Sequence, residues 1–253
     1  MHSVFITGAS SGLGAALALQ YARQGAHLGL LARRGDTLQQ LIASLPHPER
    51  HRAYAVDVCD HAALKNAAGD FIAHAGGIDV VIASAGVSYG TLSEHAEDLD
   101  AFARLIAINV TATVATFAPF IAAMKSQGSG RLVGIGSVAG IRGLPGAEAY
   151  SASKAAVISY CESLRLELKP AGIRVVTITP GYIDTPMTRH NAYRMPFLMP
   201  ADKFAARAAR AIADGDSYRV IPWQMGVVAK LLRALPNAVY DRAFANAPHK
   251  ARN

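Results

Sequence analysis

Charge is scarce in this chain: of 253 residues only 17% are Asp, Glu, Lys or Arg, against 51% hydrophobic. A chain this apolar has enough surface to bury against itself, which excludes intrinsic disorder as a general description. Cysteine is scarcer still. The two present, Cys59 and Cys161, lie far apart without metal-ligand spacing, so no disulfide framework is expected, a reducing compartment is implied and both thiols are expected in the core. No cluster of ligand side chains suggests a metal site. The chain enters its first apolar run, Ser3-Val4-Phe5-Ile6-Thr7, at once; with no room for a charged segment and an apolar leader, a cytoplasmic protein is expected. One charge-free run, 105–124, has the length of a membrane span. Asn109, Thr111, Thr113, Thr116 and Pro119 interrupt it and alanine dominates the rest, which reads as a buried helix. Basic excess is confined to the end: residues 219–253 carry six Lys/Arg against one Asp/Glu, whereas 1–218 carry nineteen against seventeen. Such a local excess gives no nucleic-acid surface spread over a fold.

Short runs rich in β-branched residues alternate with helical patterns along most of the chain. Strands are predicted at 3–7, 26–32, 51–57, 78–84, 131–137, 173–179 and 218–222. Helices are predicted at 12–24, 36–45, 60–75, 98–126, 147–170 and 201–214. This alternation is that of an α/β fold, a doubly wound parallel sheet of about seven strands with helices on both faces, binding ligands beyond the carboxyl ends of its strands. The length fits one domain over 1–253, with 223–253 as a helical extension packed on it.

Directly after the first strand stands Thr7-Gly8-Ala9-Ser10-Ser11-Gly12-Leu13-Gly14, and a helical pattern follows. Glycines between a strand and a helix let the backbone approach a pyrophosphate whose charge meets the helix N-terminus. The second strand ends Ala32-Arg33-Arg34 and lacks the carboxylate that bonds the ribose 2′-hydroxyl in NAD sites. Ala32 does not repel a 2′-phosphate and Arg33, with Arg34 beside it, can pair with one, so NADP(H) is the expected cofactor. Asp57, before Val58, either accepts from the adenine amino group or helps to cap the helix that Asp60 begins.

Tyr150 and Lys154 stand four apart in a helical pattern and so share a face. A cation beside a phenol favours the phenolate and makes the tyrosine a usable proton donor near neutrality. Ser137, at the end of the fifth strand, is placed to converge with Tyr150 on one carbonyl oxygen. Asn109 is unusual inside an apolar helix: either it bonds locally or it distorts the helix.

Over residues 3–222 the chain closely resembles the short-chain dehydrogenase/reductase family, through Thr7-Gly8-x3-Gly12-x-Gly14, Asn109, Ser137, Tyr150-x3-Lys154 and Pro180-Gly181 with Thr185. The resemblance implies a hydride-transferring oxidoreductase with Tyr150 as acid-base. Ser137 would polarise the substrate carbonyl, Lys154 would lower the Tyr150 pKa and bond the nicotinamide ribose, and the Asn109 backbone carbonyl would hold a relay water. Pro180, Gly181, Ile183 and Thr185 match the stretch that contacts the nicotinamide. Ser10, Ser11 and Leu13 between the glycines, Val58, and Ala85-Gly86 after the fourth strand complete the expected cofactor contacts. The resemblance also implies a homodimer, or a tetramer, through the helices at 98–126 and 147–170. The alternative is a non-catalytic NADP-binding regulatory or scaffold protein, which the complete tetrad disfavours.

Two features depart from the family pattern. Ala83-Ser84-Ala85-Gly86 has serine where the family has asparagine, with an expected cost to the local sheet or cofactor loop. The chain also lacks the family's glycine-rich ending and continues with Val227, Val228, Leu231, Leu232 and Leu235, Lys230 and Arg233 falling on the other side, then a second helix through Val239, Tyr240 and Phe244 and the cations Lys250 and Arg252. This pair either packs on the body, lids the substrate cleft or completes a dimer, or it makes a peripheral contact with an anionic membrane. Residues 186–200, rich in Met and aromatics, occupy the place of the substrate loop, which suggests a lipophilic ketone or aldehyde, or the corresponding alcohol. His190 within it reads as a surface residue.

Overall fold

A computed structural model describes residues 2–189, 191 and 193–247; His190, Lys250 and Arg252 lie outside the described residues. Its centre is a seven-stranded parallel sheet. β1 (Ser3–Thr7), β4 (Val80–Ala83), β5 (Gly130–Ile135) and β6 (Ile173–Pro180) form its middle, flanked by β2 (His27–Ala32) and β3 (Arg52–Ala55) on one side and β9 (Tyr218–Ile221) on the other. The spatial order is β3-β2-β1-β4-β5-β6-β9. Every residue of β1 and β4 is buried, which explains why these strands read as continuous Val/Ile/Phe runs without alternation. Thr7 is in register with Leu31 on one side and Ala83 on the other. At this β1/β4 boundary the strand order reverses direction and a crevice opens beyond the carboxyl ends.

Helices α1 (Gly12–Arg23), α2 (Gly35–Ser44) and α7 (Ala201–Asp214) cover one face through Leu17, Leu38 and Phe204. On the other lie α3 (His61–Ala75), α5 (Ala112–Gln127) and α6 (Glu148–Leu168), through Phe71, Phe117, Phe120 and Val157. Phe5 sits between Phe71 and Phe120 with ring centroids 5.7 and 4.9 Å away. Gly29 makes room for them: a Cβ there would lie 2.6 Å from the Phe5 ring and 2.8 Å from Phe71. Each such buried ring contributes roughly 1.5–3 kcal/mol. The charge-free run 105–124, expected to be a buried helix, is buried on one side only: Phe117, Phe120 and Met124 pack on this face while Thr111, Val114, Ala118 and Ala122 are exposed.

Several sequence boundaries shift. The helix expected over 98–126 is α4 (Asp98–Ile106), a π turn at Ala107–Thr111, and α5. β3 stops at Ala55, so Asp57 lies in the following turn, where its Oδ1 accepts from the Cys59 N–H at 2.9 Å. Capping of α3 falls to Asp60, which accepts from Ala63 N–H at 3.0 Å. Cys59 in that turn is exposed, contrary to expectation, while Cys161 is buried. Ser137 stands two residues past the end of β5. A short pair that the sequence did not suggest, β7 (Ile183–Asp184) with β8 (Met199–Pro200), ties off the loop between them.

The tail forms α8 (Trp223–Ala234) and α9 (Asn237–Phe244). Its packing face takes in only part of the expected leucine-valine stretch, Val228, Leu232 and Leu235 being half-buried. Met225, Gly226 and Ala229 are buried, because Gly226 lets the helix approach Val220 to where a Cβ would be 3.1 Å away. Trp223, Val227 and Leu231 face outward and are exposed. Leu99, Val114 and Leu166, on the helices expected to form a dimer, are exposed as well.

Two glycines in the left-handed region separate conformational strain from steric strain. Gly25 (φ 78°) has open space where a Cβ would go, whereas at Gly172 (φ 73°) a Cβ would lie 2.2 Å from the Gly128 oxygen. Gly25→Ala is expected to cost about 1–2 kcal/mol from conformation alone. Gly172→Ala is expected to cost at least twice as much. Urea unfolding midpoints compare them, and equal losses would contradict the close approach.

Candidate active site

The loop from β1 to α1 opens the crevice. Gly8 takes φ 67° and packs so closely on the end of β4 that a Cβ would lie 2.7 Å from Ala85 Cα. Gly14 meets Gly8 in turn, a Cβ there falling 2.4 Å from the Gly8 oxygen. Only glycine at both places permits this fold of the loop. Ser11 precedes α1 without a side-chain cap, and the helix has no acidic residue in its first turn. Its N–H groups at Gly12, Leu13 and Gly14 therefore remain available to an anion. Ser10, Ser11, Gly12, Leu13 and Gly14 all line a cleft of about 300 Å³.

At the other end of that cleft the second strand delivers Ala32, Arg33 and Arg34, which all line it, as do Asp57 and Val58. Arg34 is anchored, its Nη2 donating to Ser10 Oγ at 3.0 Å. Along the cleft follow Ser84, Ala85 and Gly86, then Pro180, Gly181, Ile183 and Thr185. Ser84 thus occupies the expected position as a half-buried lining residue. Thr185 is buried, and its N–H donates to Thr188 Oγ1 at 3.1 Å. A dinucleotide fits these groups: a backbone cradle that any Cβ would fill, an uncapped helix N-terminus for the pyrophosphate, and two guanidiniums with no carboxylate beside Ala32.

Ser137, Tyr150 and Lys154 meet at the inner end of the cleft. Ser137 Oγ accepts from the Ala139 N–H at 3.2 Å, which leaves its own hydrogen for the Tyr150 oxygen. That hydrogen bond draws the phenol down, but burial dominates and the Tyr150 pKa lies above the ordinary tyrosine value. Lys154 is 6% exposed, donates to the Ile135 oxygen at 2.9 Å and stands 5.9 Å from the Tyr150 ring centre. Burial pulls its ammonium down to about 8, with Cys161 opposing. The sequence reading had the lysine lowering the phenol pKa. In this structure the phenol moves up, because desolvation outweighs the one hydrogen bond acting on it.

Asn109 alone among the predicted residues does not line the cleft; it stands behind it, 1% exposed. Its side chain bonds at a distance in sequence. Oδ1 accepts from Val87 N–H at 2.9 Å, and Nδ2 donates to the Val87 oxygen and to Ser153 Oγ, each at 3.0 Å. Ser153 donates onward to the Tyr150 carbonyl at 2.8 Å. The Asn109 backbone carbonyl, expected to hold a relay water, accepts the Thr113 hydroxyl at 2.8 Å. Ser153 had no sequence signal beyond being the residue before Lys154.

A second cavity, of about 530 Å³, adjoins the first and shares Ser137, Tyr150, Gly181, Met187 and Thr188 with it. The loop assigned to substrate supplies Met187, Thr188, Asn191, Tyr193 and Arg194. Tyr182, Leu144, Pro145, Phe244 and Ala247 also line it; none was singled out for this from the sequence, although a lid was one reading of the tail. Tyr182 and Tyr193 meet edge to face at 6.3 Å, fixing the loop over the cavity. Among the described residues no group of three His, Cys, Asp or Glu side chains gathers as a metal ion would need.

The family model for short chain dehydrogenases matches residues 2–195. An uncharacterized oxidoreductase of Myxococcus xanthus is 37% identical over 251 residues, 96% of each chain. A 2-dehydro-3-deoxy-L-rhamnonate dehydrogenase (NAD(+)) of Sphingomonas is 36% identical over 72% of each. Among solved structures, a short-chain dehydrogenase of Sphingobium yanoikuyae in complex with NADPH superposes with a TM-score of 0.78 at 28% identity, covering 94% of this chain and 98% of that one. The doubly wound sheet, the glycine turn on its first strand and the similarity along the chain have one common explanation: the protein belongs to the short chain dehydrogenase family of oxidoreductases.

Proposed function

We propose that the protein is an NADP(H)-dependent enzyme that interconverts a lipophilic ketone or aldehyde and its alcohol, with Tyr150 as proton donor in reduction and acceptor in oxidation. The observation that carries this reading is the junction of the two cavities at Ser137 and Tyr150: both residues line both cavities, where a cofactor in the first and a substrate in the second would meet. A bound nicotinamide supplies the hydride. The chain supplies the rest. Ser137 and Tyr150 orient the carbonyl by hydrogen bonds to its oxygen, and Tyr150 gives that oxygen a proton as charge develops on it. The Lys154 ammonium, still protonated at neutral pH with a pKa of about 8, stabilises the phenolate left behind. The apolar lining of Leu144, Pro145, Met187 and Phe244 favours a lipophilic substrate.

Cofactor choice rests on this chain's own residues, since one relative is named for NAD(+) and one structural neighbour holds NADPH. Ala32 leaves space and Arg33 supplies a fork for a 2′-phosphate. We further place a dimer contact on α4–α5 and α6, where Leu99, Val114 and Leu166 are exposed; a monomer by light scattering would remove that assignment.

A panel of ketones and aldehydes is expected to oxidise NADPH in the presence of the protein, with kcat/KM at least about tenfold above that with NADH, ~1.4 kcal/mol. In Arg33→Ala the ratio of the two should fall about tenfold. Cofactor binding with no oxidation across the panel would identify a binding protein instead, and an unchanged ratio would make Arg33 a bystander.

The raised Tyr150 pKa keeps the phenol protonated at neutral pH, the form that reduction needs. Carbonyl reduction is therefore expected to be flat near neutrality and to fall as pH rises through about 8, where Lys154 loses its charge. Alcohol oxidation, which needs the phenolate, should climb from neutrality into that range. Reduction that rises through pH 8, measured as kcat/KM, would contradict the assignment.

A further inference from the structure

One wall of the second cavity comes from outside the family-matched residues: Phe244 and Ala247, at and just past the end of α9. An isolated helix of eight residues is not stable in water, so whatever anchors α9 decides where that wall stands. The anchor is the loop before α6, chiefly Arg142. Arg142 Nη1 donates to the carbonyls of Arg233 and Leu235, each at 3.2 Å, and so satisfies the open C-terminal end of α8. Its Nη2 donates to Asn237 Oδ1 at 3.1 Å at the start of α9. The same guanidinium lies 4.1 Å from the centre of the Tyr240 ring, within the range of a cation–π contact. Tyr240 in turn donates its hydroxyl to the Gly143 carbonyl at 2.6 Å and stacks on Phe244 with centroids 4.4 Å apart and planes inclined by 21°. Arg142 and Gly143 belong to the loop that supplies Leu144 and Pro145 to the same cavity. The loop and the tail are thus joined through two side chains, Arg142 and Tyr240.

We propose that Phe244 is a specificity-determining residue, its ring forming the surface on which an aryl or branched alkyl group of the carbonyl substrate packs, and that Arg142 is the residue that positions it. This rests on the second cavity being the substrate site, as read above. The stack from Arg142 through Tyr240 holds the Phe244 ring against the cavity, and a fork reaching three acceptors with its carbon 4.1 Å from an aromatic ring centre is geometry that a lysine does not reproduce. Selectivity for substrate bulk is therefore set by the tail and by the 141–145 loop together with the 186–200 loop.

The test compares a small ketone, acetone, with a bulky one, benzylacetone, in the full-length protein and in Phe244→Ala, Arg142→Ala and Arg142→Lys. Turnover with NADPH is read in parallel with calorimetric binding of benzylacetone to the NADP(+)-loaded protein. In Phe244→Ala the ratio of kcat/KM for benzylacetone over acetone is expected to fall about tenfold, mainly through KM, and benzylacetone binding should weaken to match. Both arginine variants should shift the ratio in the same direction, without rescue by lysine and without loss of cofactor affinity. A ratio within about twofold of the parent in Phe244→Ala overturns the proposal while leaving carbonyl reduction standing. If the parent binds benzylacetone in a Phe244-dependent way but reduces no carbonyl, the packing role stands and the proposed reaction falls. Absence of benzylacetone binding in the parent overturns both.

Discussion

Three hydrogen bonds made by one buried amide hold together the end of the cleft where Ser137, Tyr150 and Lys154 meet. The Asn109 side chain exchanges a pair of bonds with the backbone of Val87 and donates a third to Ser153. It thereby ties the loop after β4, the π turn between α4 and α5, and the first turns of α6 into one unit. Gly86 is pressed into this junction so closely that a Cβ would lie 3.2 Å from Asn109 Oδ1 and 3.6 Å from Lys154 Nζ. Leaving any of these buried groups unpaired costs about 1–3 kcal/mol, so the arrangement is fixed. Asn109 stands in that π turn, which packs on α6 as α4 does, and from there its side chain reaches both Ser153 and Val87.

On that frame the electrostatics of the pair at 150 and 154 follow from burial. Desolvation moves a phenol up and an ammonium down, which drives the two groups apart in proton affinity, the lysine to about 8 and the tyrosine above its ordinary value. A hydroxyl on Ser137, oriented by its bond from Ala139 N–H, is the group that acts directly on the phenol. Lys154 donates one hydrogen bond to the Ile135 carbonyl, and its ammonium stands 5.9 Å from the Tyr150 ring centre.

Much of this was legible in the sequence because the signals are local. Continuous apolar strands, the glycine turn and the Tyr-Lys spacing each fit within a few residues, and the glycine loop and the Tyr-Lys pair both line the cleft. What escaped was set by distance. Ser153 matters only because Asn109, 44 positions earlier, donates to it, and Arg142 finds its partners 91 to 95 positions later. The face on which α8 packs was misread in part because helical periodicity ranks leucine above glycine, whereas close approach to Val220 favours Gly226. Likewise Cys59 is exposed because the Asp57 turn carries it out of the core, an arrangement that hydrophobicity does not anticipate.

The account as a whole turns on the Tyr150 hydroxyl as the proton donor at the junction of the two cavities. Replacing it by phenylalanine removes one oxygen and keeps the ring. Parallel measurement of carbonyl turnover and of NADPH affinity in Tyr150→Phe tests this directly: turnover should fall by at least about a thousandfold, within the range of general acid catalysis, with the cofactor dissociation constant nearly unchanged. Turnover that persists at the parent rate would contradict it.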